Sequence, residues 1–287
     1  MTEKYTEYNM GSVIEHVNFE NNEEGNCRWT NLQIIYADEK NQDSLVNEIA
    51  YALARIRFGK DSDHYKWWDE TVRGLKTNNA TEKKILTAFM RPSLGTEALP
   101  LPDDQIQGVI AETLWYEIAS NTESLEGLPI RMEEPHFTIT EPGGDGLAVY
   151  TTQKEKYLFR LWEVKKHNSS ETATTKITEA SSQLDLKGAE YLAKWSKVSQ
   201  EVDHANPGLS FFYAKLVDMW IQGSSEARAG ISVSKNDKSA ICSTPITVAK
   251  KQLERFVNDE QVEVMIITIP EFNSIAEGVI KVIWSGI

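Results

Sequence analysis

An α/β fold that leans towards α+β is predicted by three features of this 287-residue sequence. Apolar runs of strand length alternate with helical segments in its final third, which is typical of an α/β layer. Two further strand-like runs meet at a short polar loop within residues 143 to 166. Helical patterns with apolar stripes precede and follow that pair. A sheet flanked by helices is therefore expected.

The final third supplies most of the alternation. Its apolar runs predict strands over residues 229 to 234 and 262 to 269, and its helical patterns cover residues 245 to 257 and 272 to 284. Residues 209 to 216 are either strand-like or the beginning of a helix. The sequence contains no internal repeat and no glycine-rich phosphate loop, so neither a repeat protein nor a P-loop nucleotide-binding fold is indicated.

The N-terminus is predicted to be an acidic arm. Residues 1 to 28 are polar, and the first 26 carry six acidic side chains against one lysine, so an irregular, loosely packed segment is expected. A strand is predicted over residues 29 to 36. A helix follows, and either Asp43 or Ser44 is expected to cap its beginning.

A domain boundary is predicted near residue 100. A helical pattern over residues 80 to 91 is expected to end before Pro92, because the residue before a proline disfavours the helical conformation. Three prolines between residues 92 and 102 are typical of a linker. The chain is therefore divided into an arm and mainly helical subdomain, residues 1 to 100, and a second domain, residues 101 to 287.

A strong helical pattern over residues 103 to 120 carries two glutamates of interest. At 100° per residue Glu117 falls near the middle of the apolar stripe, whereas Glu112 lies on its flank. A carboxylate within an apolar face is unusual, although the end of the helix would also explain it. Short strands are predicted next, over residues 129 to 132 and 136 to 140.

Net charge and targeting features limit the function. The formal net charge of -13 argues against a protein that binds nucleic acid through its own surface field alone. The two cysteines, Cys27 and Cys242, are distant in sequence and match no metal-ligand spacing. Apolar runs fall short of the ~20 residues that span a bilayer, and the polar N-terminus does not resemble a signal peptide. A cytoplasmic protein without membrane contact is expected.

The strand over residues 157 to 166 carries candidate site residues. With a period of two, Glu163 and Lys165 lie on the same face as Phe159 and Leu161, so they are expected to be partly desolvated. An uncompensated ion there costs several kcal/mol by a rough estimate, so another charge should compensate them. A solvated strand end would explain the same pattern without a site.

Asp145, near the beginning of the preceding strand, can join this pair only in one register. If residues 153 to 156 form a four-residue loop, Asp145 faces Val164 and lies on the wrong side of the sheet from Glu163. A shared site therefore requires a loop of odd length or a bulge, and the glycines at 143, 144 and 146 favour a bulge.

The helix after the strand pair, predicted over residues 170 to 202, completes the arrangement. Residues 154 to 197 carry nine basic against six acidic side chains, a balance of +3 that is opposite in sign to the whole chain. Gln183 on this helix is interpreted as a solvent-facing or capping amide. A balance of this size is also typical of a solvated helix face.

The order of these elements resembles the PD-(D/E)xK nuclease superfamily: an acidic helix, strands, an aspartate, a Glu-x-Lys tripeptide and a helix. The resemblance covers residues 103 to 202, and Gly143-Gly144 stands where the superfamily usually has a proline before the aspartate. Within this superfamily, the amino-acid sequence is most similar to the nuclease subunits of Hachiman antiphage systems. The similar segments are Glu112-Thr-Leu-Trp-Tyr116, His136 followed by Asp145-Gly146, and Leu161-Trp-Glu163-Val-Lys165.

This resemblance implies a restriction-endonuclease-like core with a mixed sheet, and hydrolysis of DNA in a complex with a superfamily 2 helicase. Asp145, Glu163 and the backbone carbonyl of Val164 would hold Mg²⁺ or Mn²⁺, and Lys165 would serve the attacking water or the transition state. The resemblance favours Glu112 as the helix carboxylate, whereas the helical angle favours Glu117. His136 and Gln183 are further candidate site residues.

A non-catalytic interaction protein is the alternative. In it Glu163 and Lys165 would form an ordinary structural ion pair. Tandem Trp67-Trp68 would then be core packing or part of a patch for a partner. The acidic arm is a second candidate docking segment for a partner.

Overall fold

A computed structural model describes residues 12–36, 38–124, 126–135, 144–152, 156–170, 172–202 and 206–287. Within these ranges the chain forms a mixed α/β structure, as the sequence predicts. None of the helices in these ranges is long and apolar enough to cross a membrane.

Seven strands of the described chain form one mixed sheet in the order β1-β2-β7-β6-β5-β4-β3. The three central pairs, β2 with β7, β7 with β6 and β6 with β5, are parallel, and the outer pairs are antiparallel. The strands are β1 (Val17–Glu24), β2 (Cys27–Ile34), β3 (Arg131–Met132), β4 (Gly146–Thr151), β5 (Tyr157–His167), β6 (Ala227–Asn236) and β7 (Val262–Ile269).

Helices cover both faces of this sheet, which leaves β5, β6 and β7 almost entirely buried. The helices are α1 (Glu39–Phe58), α2 (Asp63–Val72), α3 (Ala80–Leu94), α4 (Asp103–Asn121), α5 (Thr174–Val202), α6 (Pro207–Tyr213), α7 (Leu216–Gln222), α8 (Pro245–Lys250) and α9 (Phe272–Ser285). One core lies between the sheet and α1, α4 and α9; the other lies between the sheet and α5 to α8. Burial on both faces explains why apolar residues occupy both faces of β7, whose sequence is apolar except for Glu263 and Thr268.

The prediction of an irregular arm over residues 1 to 28 is wrong from residue 13 onwards. A short 3-10 helix (Val13–His16) leads into β1, which pairs with β2 in an antiparallel hairpin. The acidic side chains of β1 lie on an edge strand, where charge discourages pairing with another chain. β2 in turn pairs in parallel with β7, and α1 packs on α4 and α9, so the two predicted domains share one sheet and one core.

Three predicted helix bounds need correction. Asp38 caps α1, because its side chain accepts a hydrogen bond from the Asn41 N–H, so the helix begins before Asp43 and Ser44. α3 continues through Pro92 to Leu94, where Gly95 ends it. α8 is shorter than predicted and ends at Lys250. Of the two short strands expected before the hairpin, β3 matches the first, and residues 136 to 140 lie outside the described residues.

The tandem tryptophans differ in environment. Trp68 is fully buried, and its indole N–H donates to the Ile283 carbonyl at 3.0 Å, so it packs α2 against α9. Trp67 is half-buried, and the Lys76 ammonium lies 5.1 Å from the centre of its ring. Trp68 is therefore a core residue rather than part of a docking patch.

Candidate active site

Asp145 lies near Glu163 and Lys165 where the antiparallel pair of β4 and β5 ends. The register pairs Thr151 with Tyr157 and Gly146 with Trp162, and Asp145 directly precedes this last pair. The Asp145 N–H donates to the carbonyl of the same Trp162, so the regular pairing does not continue to Asp145, as at a bulge. The charge of Asp145 acts on both Glu163 and Lys165, so the three charged groups lie within electrostatic range of one another.

Two glycines beside Asp145 allow close packing. A Cβ on Gly146 would lie 2.1 Å from Cη2 of Trp115, so only glycine lets this α4 ring cover the beginning of β4. A Cβ on Gly144 would lie 2.6 Å from Cδ1 of Leu161. The glycine-rich sequence thus brings the chain close to β5 and α4, and this packing fixes the position of Asp145 between the two glycines.

The backbone of β5 also holds Asp145. Its N–H donates to the Trp162 carbonyl at 2.7 Å, and its Oδ2 accepts from the Val164 N–H at 2.5 Å. The Asp145 carboxylate thus accepts from a β5 N–H that a backbone carbonyl would accept from if β4 continued. Since the N–H and C=O of one strand residue point to the same side, the Val164 carbonyl is also directed towards Asp145.

Lys165 links Glu163 to helix α5. Its Nζ donates to Glu163 Oε1 at 2.5 Å and to Gln183 Oε1 at 3.0 Å. Gln183 therefore contacts the site, and the interpretation of this residue as a solvent-facing or capping amide is wrong. Burial lowers the pKa of Lys165, but the charges of Glu163 and Asp145 outweigh this effect and raise it, so the ammonium stays charged.

Glu163 has unmet capacity for a cation. The residue is fully buried, and Oε2 has no hydrogen-bond partner among the described residues. Burial and, next, the charge of Asp145 raise the pKa of Glu163 well above its ordinary value despite the contact with Lys165. One ammonium therefore does not balance the carboxylates of this site.

Glu112 is the helix carboxylate that belongs to this cluster. It lies one turn before Trp115, the residue that covers Gly146, and it is half-buried. Burial first, and then the charge of Asp145, raise the pKa of Glu112 to about 8. Three carboxylates thus act on one another electrostatically.

Glu117 has a different partner. Its Oε2 lies 3.3 Å from a guanidinium nitrogen of Arg55 on α1, in a contact between helices. The helical angle was a poor guide because α4 buries apolar residues on almost every side, so its stripe does not identify one face. His136 lies outside the described residues.

Two residues near the site carry no clear sequence signal. Arg57 of α1 is buried, and the charge of Glu112 opposes the lowering of its pKa by burial. Tyr191 of α5 is also buried; its pKa is raised mainly by burial, with contributions from the charges of Asp145 and Glu163. Arg57 is distant in sequence, and Tyr191 is part of an apolar stripe that predicts only core packing.

The donor chemistry of this cluster suits a hard divalent cation. Carboxylate and carbonyl oxygens are the ligands that Mg²⁺ and Mn²⁺ prefer, and the unpartnered Glu163 Oε2 is a free ligand atom. In the described ranges, however, no three Asp, Glu, His or Cys side chains are grouped closely enough to hold a metal ion. Lys165 and the Val164 N–H hold the carboxylate oxygens instead. The cation site stays a prediction.

Comparison with known proteins adds no family assignment. No protein-family model matches the chain, and no curated protein matches it.

Proposed function

We propose that this protein is a metal-dependent nuclease that hydrolyses phosphodiester bonds of DNA. The observation that carries the proposal is the grouping of the Asp145, Glu163 and Glu112 carboxylates around Lys165. The resemblance to PD-(D/E)xK nucleases motivates the same reaction. The similarity of the sequence to Hachiman nuclease subunits extends the proposal: the protein would be an effector of antiphage defence that acts with a superfamily 2 helicase.

The chemistry follows from the charges of the site. Asp145, Glu163 and the Val164 carbonyl would hold Mg²⁺ or Mn²⁺, and a bound divalent ion polarises a phosphoryl oxygen and lowers the pKa of a coordinated water. Lys165 supplies a positive charge where negative charge builds up on the phosphate. Gln183 holds the lysine in place through its amide oxygen. With a pKa of about 8, Glu112 holds a proton near neutral pH and can donate it.

The charge of the chain supports dependence on a partner. A net charge of -13 repels the phosphate backbone at long range, so the nuclease would gain from a helicase that brings DNA to it.

A nuclease assay tests the proposal. The full chain, alone and with a superfamily 2 helicase, is incubated with plasmid DNA or RNA in the presence of Mg²⁺, Mn²⁺ or EDTA. We expect cleavage of DNA that needs the metal and is lost in Asp145→Asn, Glu163→Gln and Lys165→Met. Glu117→Gln, which alters a glutamate of the same helix region outside the cluster, is the matched control and should keep activity.

A structural ion pair is the alternative, and the 2.5 Å contact between Lys165 and Glu163 favours it. In that case the chain is a non-catalytic interaction subunit. No metal-dependent cleavage would be seen under any of these conditions, or cleavage would persist undiminished in all three variants.

A further inference from the structure

A groove runs along the exposed side of α5 and opens at Lys165. Its volume is about 770 Å³, and among its described lining residues all but Leu186 have a polar or charged side chain. The residues that matter here are Lys165, Thr175, Thr178, Ser182, Gln183 and Lys187. We call this surface the hydroxyl groove. It joins the ammonium of the candidate site to solvent.

Hydroxyl groups follow one another along this groove. Thr175, Thr178 and Ser182 are three to four residues apart, so their side chains lie on one side of the helix. In the described part of the chain no residue forms a hydrogen bond with the hydroxyl of Thr175 or Ser182. Thr178 donates to the Thr174 carbonyl at 3.1 Å and keeps its acceptor capacity. Two hydroxyl donors are thus available to a ligand.

The groove is close to neutral, in contrast to the chain as a whole. Lys165 contacts Gln183, one turn from Lys187, so both lysines lie towards the same end, and Glu163 and Glu190 pair with them. Glu179 is the one carboxylate among its described lining residues, and Lys176 neutralises it at 2.6 Å. The groove also begins at the first turn of α5, where the helix dipole attracts negative charge.

The length of the groove suits a polymer rather than a single phosphate. From Thr174 to Lys187 the helix axis extends about 20 Å at 1.5 Å per residue. A DNA strand presents a phosphate about every 3.4 Å of its axis, so several phosphates can lie alongside. Threonine, serine and lysine side chains contact phosphate oxygens without reading bases.

We propose that the hydroxyl groove binds the phosphodiester backbone of one nucleic-acid strand and directs it to Lys165, without sequence preference. This inference rests on the proposed nuclease function, because that function gives the strand a reason to reach Lys165. Neutral donors would bind the backbone weakly, which fits a chain that receives its substrate from a partner.

Binding of fluorescein-labelled DNA tests the groove. The full chain is titrated into single-stranded and duplex DNA of two unrelated sequences, at low salt and in EDTA so that no cleavage occurs. We expect Thr175→Glu to weaken binding about tenfold for both sequences, because it places a carboxylate beside the backbone. Glu179→Gln removes the carboxylate of the groove and should strengthen binding several-fold.

Thr81→Glu is the matched control. Thr81 and Thr175 are both exposed threonines at the second position of a helix, so the two changes have similar local effects. Binding should be unchanged in Thr81→Glu. Equal affinities of wild type, Thr175→Glu and Glu179→Gln for DNA would overturn the proposal that this groove binds the backbone. Equal weakening of DNA binding by Thr175→Glu and Thr81→Glu would also overturn it. So would the absence of DNA binding by wild type.

The cleavage assay separates this inference from the proposed function. If wild type cleaves DNA and Thr175→Glu binds and cleaves DNA like wild type, the proposed nuclease function is supported and the proposal of DNA binding in the hydroxyl groove is wrong. If Thr175→Glu and Glu179→Gln shift affinity as expected while wild type never cleaves, the groove binds nucleic acid and the nuclease assignment fails.

Discussion

The Val164 N–H, next to Glu163, donates to the Asp145 carboxylate at 2.5 Å. The Asp145 N–H in turn donates to the Trp162 carbonyl at 2.7 Å, so both the backbone and the side chain of Asp145 are held by β5. Glycine on both sides of Asp145 allows this close approach. Backbone packing thus fixes the first carboxylate of the candidate site before any ligand is considered.

Gly146→Ala should destabilise the protein. Its new Cβ would lie 2.1 Å from the Trp115 ring, and neither β4 nor this buried side chain can move freely. We expect a loss of at least about 1–3 kcal/mol in the free energy of unfolding, measured by guanidinium denaturation. Gly108→Ala is the control, because a Cβ there meets nothing within 4 Å and an α4 interior favours alanine by about 0.5–1 kcal/mol. Equal stability of Gly146→Ala and wild type would contradict this packing.

Glu112→Gln should change the pH dependence of stability. The pKa of Glu112 is about 8 in the folded protein and 4.5 in its ordinary state, so between these values the folded chain holds a proton that the unfolded chain has lost. Its contribution to stability therefore falls as pH rises from 4.5 to about 8. Glutamine does not ionise, so the Tm of the variant relative to wild type, measured in EDTA, should increase from pH 5 to pH 8. A difference in Tm that is independent of pH would show that Glu112 is not perturbed in this way.

Gln183→Leu should slow cleavage without weakening substrate binding. It removes the oxygen that accepts from Lys165 Nζ at 3.0 Å, so the lysine loses one of the two hydrogen-bond acceptors that hold its ammonium group. We expect kcat to fall about tenfold with little change in KM, which corresponds to one hydrogen bond of a charged group. Gln183→Glu keeps an acceptor oxygen and should restore part of the rate. If both variants cleave like wild type, Gln183 does not position Lys165.

Glu126→Gln should destabilise the end of the sheet remote from the candidate site. The Glu126 carboxylate contacts Arg160, which is fully buried, and Arg228. Burial would raise the pKa of Glu126, but the two guanidinium groups lower it to about 2. Loss of one partner from such a network costs about 3–5 kcal/mol of unfolding free energy.

The matched control for this network is Glu123→Gln, at an exposed position three residues earlier, which should change stability by less than about 0.5 kcal/mol. Because the pKa of Glu126 is depressed, its stabilising effect is present above pH 4.5 and is lost as pH falls towards 2. The difference in stability between wild type and Glu126→Gln should therefore narrow on acidification. A constant difference would argue against ion pairing.

Local patterns predicted much of this fold. The bounds of β7 match the predicted strand, because its residues are apolar except for Glu263 and Thr268 and the run ends at Pro270. The sequence predicted α9 to within one residue from its apolar periodicity. The β1 strand was missed because its side chains are polar and it is stabilised by pairing with β2. The parallel pairing of β2 with β7 joins segments more than 200 residues apart, and no local pattern encodes it.

In the candidate site, too, local patterns predicted some residues, whereas contacts between distant segments determine the others. Glu163 and Lys165 follow from the period of one strand, whereas the position of Asp145 depended on a loop length that sequence alone left open. Gln183 was misjudged because its contact with Lys165 joins two elements. Arg57 reaches Glu112 through the packing of α1 on α4, which no spacing in the sequence describes.

Direct measurement of Mn²⁺ binding tests the central claim most closely. Calorimetric titration of the full chain, with Mg²⁺ as competitor, is compared among wild type, Asp145→Asn, Glu163→Gln and Glu117→Gln. We expect wild type and Glu117→Gln to bind Mn²⁺ alike, and the other two variants to bind at least about tenfold more weakly because each loses a charged ligand. Absence of Mn²⁺ binding by wild type, or unchanged binding in Asp145→Asn and Glu163→Gln, would contradict a divalent-cation site at these carboxylates.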